Sequence, residues 1–154
     1  MTGTAETKVH EFVTANAEET IRAGRAIARL LEPPKFLILR GDLGTGKTTL
    51  VKGIAEELEA ADADEVTSPT FTLIHEYEGV RDGQPMRLYH LDLYRIETER
   101  QLDTLGLNDL SGPDSLVLVE WGEKFMSVVN RSNGEIVMTS TGGDTRKISL
   151  TIKD

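Results

Sequence analysis

The chain has 154 residues, 38% of them hydrophobic, and 26 acidic against 17 basic side chains give a formal net charge of −9. Such a length suits one core, so a single domain over residues 1–154 is expected. The lack of cysteine excludes disulfides, thiolate metal sites and cysteine nucleophiles. The acid excess argues against autonomous nucleic-acid binding, which relies on phosphate neutralisation, and no run reads as a membrane span or leader, so a cytoplasmic protein without a membrane partner is expected.

His10 to Val13 reads as a short strand. Asn16 or Thr14 would cap a helix whose apolar face is Ile21, Gly24, Ile27, Ala28 and Leu31. Pro33 and Pro34 end it, and Phe36-Leu37-Ile38-Leu39 is a continuous apolar run of the kind buried on both faces of a sheet. Gly41-Asp42-Leu43-Gly44-Thr45-Gly46-Lys47-Thr48 then matches the P-loop pattern G-x-x-x-x-G-K-[ST] in full, between strand and helix as that motif requires. Its glycines let successive N–H groups curl inward on an anion. A helix starting near Lys47 adds unpaired amides and the positive end of its dipole. Lys47 supplies a point charge for β- and γ-phosphates, and the Thr48 hydroxyl suits magnesium. Asp42, Leu43, Gly44, Thr45, Gly46, Lys47, Thr48 and Thr49 are the expected nucleotide-binding residues.

Leu50, Val51, Ile54, Ala55 and Leu58 share one side of the following helix, and residues 60–64 read as a solvated loop. From Phe71 the period is two: Phe71, Leu73, His75 and Tyr77 on one face, Thr72, Ile74 and Glu76 on the other. Asp82-Gly83 signals a hairpin, and alternation resumes from Leu88 to Leu93. A short helix from about Glu97 to Leu105 would stop at Gly106. Leu116 to Val119 is a second fully apolar strand. Asn133-Gly134 and Gly142-Gly143-Asp144 punctuate strands over Glu135–Thr139 and Lys147–Ile152. The expected fold is α/β: a P-loop NTPase-like mixed sheet, with an antiparallel hairpin after the first βα unit and helices on its faces.

A P-loop site usually takes an acidic magnesium partner from the carboxyl end of an apolar strand. Glu120 directly ends Leu116–Val119; Asp92 shares a strand face with His90 and Tyr94. Glu120 is favoured for the metal, and Asp92 for its outer shell or the attacking water. No Asn-Lys-x-Asp segment is present to read guanine, so ATP is expected over GTP. Asp103-Thr104-Leu105-Gly106 matches a GTPase D-x-x-G string but does not follow an apolar strand. A small-molecule kinase would add an arginine-bearing lid, yet after Arg100 only Arg131 and Arg146 remain. A nucleotide-dependent switch is the other alternative. For adenine, the segment near Asn16 and the late Arg146 are the candidate contacts.

The P-loop with Thr49, then Ser68-Pro69-Thr70, His90-Leu91-Asp92-Leu93-Tyr94-Arg95 and Val119-Glu120-Trp121 follow one another in an order that resembles the TsaE family. That family is the bacterial P-loop ATPase needed to make threonylcarbamoyladenosine in tRNA. The resemblance covers Phe36 to about Trp121. It implies that Lys47 and Thr48 hold phosphate and magnesium, that Glu120 is a second metal ligand, and that Asp92 is an acid needed for activity. It further implies a switch-like loop at Ser68-Pro69-Thr70, a second mobile segment at Trp121, ATP and magnesium as cofactors, and partners of the TsaD and TsaB kind, with tRNA handled by the complex. Turnover is expected to be slow alone and stimulated by those partners. By residue type, Thr70 after Pro69 also suits a strand opening and Trp121 also suits packing. His90 suits a satisfied structural imidazole better than a base, and Arg95 suits a phosphate or a neighbouring acid equally.

Overall fold

The structure, a computed structural model, describes residues 7–42, 44–62, 65–69, 73–110 and 112–153. β1 (Thr7–Thr14) leads to α1 (Ala17–Leu30). Asn16 caps that helix: its side-chain oxygen accepts from the Glu19 amide, while Glu19 reaches back to the Ala15 amide, so two orphan donors are met at once. Thr14, the other cap candidate, shares a hydrogen bond with the Thr20 hydroxyl instead. β2 (Lys35–Arg40), α2 (Lys47–Glu57), β3 (Ile74–Arg81) and β4 (Gln84–Asp92) follow, then α3 (Glu99–Asp103), β5 (Ser115–Glu120), α4 (Met126–Arg131), β6 (Gly134–Gly142) and β7 (Thr145–Lys153). Short 3₁₀ turns lie at Leu107–Leu110 and Gly122–Lys124.

The seven strands form one sheet in the order β1-β7-β6-β2-β5-β4-β3. Its centre, β6-β2-β5-β4, is parallel. The β3–β4 hairpin closes one side through Asp82 and Gly83, both at positive φ, and antiparallel β6, β7 and β1 complete the other. Alternating side chains of the apolar strands serve two cores. Leu37, Leu39, Leu116 and Leu118 pack with α1 and α2, whereas Phe36, Ile38, Val117 and Val119 pack with residues of α3, the 3₁₀ turns and α4. The chain therefore has the expected P-loop NTPase-like mixed architecture, with helices on both faces.

α1 and α2 meet backbone to backbone. A Cβ on Gly53 would lie 2.0 Å from the Ile21 carbonyl oxygen, and one on Gly24 would lie 2.3 Å from that of Leu50. Gly24 thus belongs to the packed helix face because it has no side chain. The contact fixes α2, and with it Lys47 in its first turn, against the sheet.

Three sequence expectations need correction. Leu73 does not share a strand face with His75; its φ is +68° and β3 begins at Ile74, while Phe71 and Thr72 lie outside the described residues. The helix expected over residues 97–105 is only Glu99–Asp103, capped by Thr98, because Leu102 is its one buried side chain. Leu88 to Leu93 is buried without interruption, since β4 lies between β5 and β3 and is covered on both faces. Among the described residues, no helix is long and apolar enough to cross a membrane.

Candidate functional site

The loops leaving β2, β4 and β5 frame an open cleft of about 410 Å³ at the carboxyl ends of these parallel strands. Gly44, Gly46, Lys47 and Thr48 contribute from the glycine-rich loop and α2. Asp92, Tyr94, Glu120 and Trp121 contribute from β4, β5 and the residues just after them, and Ser68 also reaches the cleft. Strand register places Asp92 directly beside Glu120, and Glu120 beside Leu39 of β2.

The loop keeps its shape through backbone conformations that glycine tolerates: φ is +80° at Gly44 and +96° at Gly46. Thr45 closes a turn by donating both its amide and its hydroxyl to the Asp42 carbonyl, at 3.2 and 2.8 Å. α2 then starts at Lys47 with no side-chain cap and no acidic residue in its first turn. Its leading N–H groups and dipole are left to an anion, which is the electrostatic requirement of a phosphate cradle.

Four ionisable groups meet at the base of the cleft, and all are buried: Lys47, His90, Asp92 and Glu120. The Lys47 ammonium donates to the Gly41 carbonyl at 2.6 Å and lies 3.4 Å from Glu120 Oε1. The other carboxylate oxygen, Oε2, is 2.5 Å from His90 Nε2. Burial pushes the Glu120 carboxyl up, but the His90 hydrogen bond and charge, joined by those of Lys47, outweigh it and hold the group below its ordinary value. An ionised carboxylate only accepts, so His90 Nε2 carries the proton in this contact. His90 is fully buried, and its Nδ1 has no hydrogen-bond partner.

The segments after the two acids are held firmly. Asp92 Oδ1 accepts from the Tyr94 amide at 2.9 Å, and Lys124 donates to the carbonyls of Leu93, Tyr94 and Ile96 at 3.3, 2.8 and 2.7 Å. Trp121 adopts φ +63°, a left-handed conformation that is costly for a bulky side chain and concentrates at functional sites. Its ring lies 5.1 Å from Lys47 Nζ and 5.1 Å from the Tyr94 ring.

The fold brings most of the expected site residues together and leaves some apart. Lys47, Thr48, Asp92, Glu120, Trp121 and Ser68 share the cleft with Gly44 and Gly46. Asp42 and Thr45 shape the loop, His90 stands behind Glu120, and half-buried Thr49 is not among the lining residues. Arg95 is exposed and does not line the cleft. Leu43 and Thr70 lie outside the described residues. Asn16 is engaged in capping α1, and Arg146 binds loop carbonyls, donating from Nε to Thr45 O at 2.7 Å and from Nη2 to Gly44 O at 3.3 Å. Tyr94 and Lys124 join the site without having been among the expected residues; Tyr94 shares a strand face with Asp92 in the sequence pattern, but no local pattern marks Lys124 as the clasp of that turn.

Thr48, Asp92 and Glu120 are oxygen donors of the hard kind that magnesium takes. Among the described residues no group of three or more His, Cys, Asp or Glu side chains would hold a metal by itself. Magnesium commonly keeps waters and shares phosphate oxygens rather than sitting in an all-protein cage, so a few such oxygens suffice for it.

Comparison with known proteins gives one consistent result. The profile of the family described as "Threonylcarbamoyl adenosine biosynthesis protein TsaE" matches residues 14–148. The tRNA threonylcarbamoyladenosine biosynthesis protein TsaE of Bacillus subtilis is 40% identical over 138 residues, which span 90% of this chain and 82% of the relative. Its counterpart in Treponema pallidum is 33% identical over 138 residues, 90% of this chain and 97% of the relative. The crystal structure of Bacillus subtilis YdiB superposes with a TM-score of 0.67 at 33% identity, covering 96% of this chain and 87% of that one.

Proposed function

The chain belongs to the TsaE family, and from that premise we propose that it is a cytoplasmic, magnesium-dependent ATPase that works with partner proteins in the threonylcarbamoyladenosine modification of tRNA. The observation that carries the nucleotide half of this reading is the acid-free, uncapped start of α2 beside Lys47, opening on the same cleft as two adjacent buried carboxylates. The loop N–H groups and Lys47 hold the phosphates, with Lys47 exchanging Glu120 Oε1 for a phosphate oxygen. Thr48 and Glu120 hold the magnesium ion, which when bound neutralises charge on the phosphate oxygens. Asp92, fixed by the Tyr94 amide, orients the attacking water. Tyr94 and Trp121 stack beside the cleft with the Trp121 ring next to Lys47, and burial of Lys47 and Glu120 strengthens their electrostatic contacts.

The partner half rests on family membership and on the arginines. Arg146 is engaged by carbonyls and Arg95 does not line the cleft. A group supplied by a partner, worth ~10³–10⁵ in rate for an arginine finger, would therefore raise a slow intrinsic turnover. The partners are of the TsaD and TsaB kind, and an acidic chain reaches tRNA through that complex.

Steady-state ATP turnover of the purified chain, then with the partners and tRNA added in turn, tests the proposal, with Lys47→Ala as the blank. Slow basal turnover, partner stimulation and a folded but inactive Lys47→Ala are expected. Fast turnover unchanged by partners would reject the partner half, and near-normal activity in folded Lys47→Ala would reject the site.

A further inference from the structure

Arg146 is the one residue outside the glycine-rich loop whose side chain is seen to grip that loop's backbone among the described hydrogen bonds. It sits in β7, where its main chain pairs with Ser140 of β6 on one side and Thr14 of β1 on the other. From this braced position the half-buried guanidinium reaches in two directions. Nε and Nη2 donate to the carbonyls of Thr45 and Gly44, over 100 residues away in sequence. Nη1 donates to the carbonyls of Gly143 and Thr145, at 2.6 and 3.0 Å, and to the Ser140 hydroxyl at 3.3 Å.

We infer that Arg146 is a positioning residue for phosphate binding, clamping the glycine-rich loop to the β6–β7 hairpin so that its amides keep the orientation that receives the ligand. This rests on the reading of that loop as a phosphate site. In a trans peptide the carbonyl and the following N–H point in opposite directions. With the Thr45 carbonyl fixed on Nε, the Gly46 N–H must point away from Arg146, and Gly46 is a residue of the cleft. The Thr45 amide is already used within the loop on Asp42, so the clamp governs the next amide along. Gly44 and Gly46 make the loop bendable, and without an external hold their freedom would let these peptides rotate. A planar fork of fixed donors suits this bridging, whereas a lysine would offer one compact charge to acceptors on two elements.

The competing role, a direct contact to adenine, makes a different prediction about which ligand suffers. Binding of magnesium–ATP and of inorganic tripolyphosphate is measured for the wild type, Arg146→Ala and Arg146→Lys, with thermal melting of each and Lys47→Ala as control. Positioning predicts that Arg146→Ala weakens both ligands by a similar factor of about ten, the scale of one lost charge-assisted hydrogen bond. Arg146→Lys should lose a smaller factor on both, and it carries the test should the alanine variant fail to fold. Affinity within about twofold of wild type in the folded variant, or a loss confined to ATP with tripolyphosphate unaffected, overturns the inference. A wild type that binds neither ligand, or a folded Lys47→Ala that binds both normally, would instead remove the phosphate-site reading on which it rests.

Discussion

Replacing Gly53 by alanine should act on both stability and the site. The added Cβ would lie 2.0 Å from the Ile21 carbonyl oxygen, 2.8 Å from its carbon and 3.1 Å from Gly24 Cα. An ordinary carbon–oxygen contact is about 3.3 Å, so α1 and α2 would have to separate by roughly 1 Å. Every one of those neighbours is backbone, and no flexible side chain can give way. Overpacking of this kind costs about 1–3 kcal/mol. At about 2–4 °C per kcal/mol for a domain of this size, the melting temperature should fall by about 2–12 °C. α2 carries Lys47 and Thr48 in its first turn, and a displacement of roughly 1 Å at reacting groups can lower turnover ~10²-fold. Thermal melting and ATP turnover of Gly53→Ala are the assays. Alanine is favoured over glycine in a helix interior by about 1 kcal/mol, so the two accounts differ in sign. An unchanged or raised melting temperature would refute the close-contact argument.

The two acids should separate when each loses only its charge. Glu120→Gln is expected to raise the magnesium concentration needed for nucleotide binding, and Asp92→Asn chiefly to lower turnover; equal magnesium sensitivity in both would show one shared coordination unit. Acid should expose the Glu120 contribution to stability. Because its folded-state value lies below the ordinary 4.5, that contribution is complete above about pH 4.5 and is lost as pH falls through the folded-state value. The stability difference between wild type and Glu120→Gln, from denaturant melts, should be flat above that pH and shrink below it. A difference that persists unchanged into strong acid would contradict the paired, ionised carboxylate.

How much of this was legible in the sequence follows from how far each contact reaches along the chain. The glycine-rich loop was legible because its glycines, Lys47 and the start of α2 act within eight residues of one another. The two central apolar strands were legible because burial on both faces leaves a continuous run. Glu120 announced itself by ending such a run, but its place beside Asp92 depends on β4 and β5 being neighbours, which only the sheet order decides. The hold of Arg146 on Thr45 is likewise a product of topology, where the sequence alone suggests an adenine contact. α4 was not anticipated: in Met126-Ser127-Val128-Val129-Asn130-Arg131 only Val128 is buried, so no helical period can register. His90 suits a satisfied imidazole by residue type, yet only one of its nitrogens is satisfied, the one facing Glu120.

That half-satisfied histidine belongs to a larger pattern at the carboxyl ends of the strands. His90, Asp92 and Glu120 occupy strand positions of the kind filled elsewhere in β4 and β5 by leucine and valine, and Lys47 begins α2 beside them. Buried ion pairs seldom add net stability relative to well-packed apolar residues, because desolvation cancels much of the attraction. Lys47 and Glu120 are therefore poor choices for holding the sheet together and good choices for changing partners. Each is charged, each already has a second polar contact that keeps it in place, Gly41 for the lysine and His90 for the glutamate. Exchange of their mutual contact for a phosphate oxygen and a cation would leave neither group unpaired. On this argument the rigid surroundings, the Gly24–Gly53 contact, the Lys124 clasp and the Arg146 hydrogen bonds to the loop, offset a local weakness that the proposed chemistry would require. Apolar replacement of the Lys47–Glu120 pair should accordingly raise stability more readily than it preserves nucleotide binding.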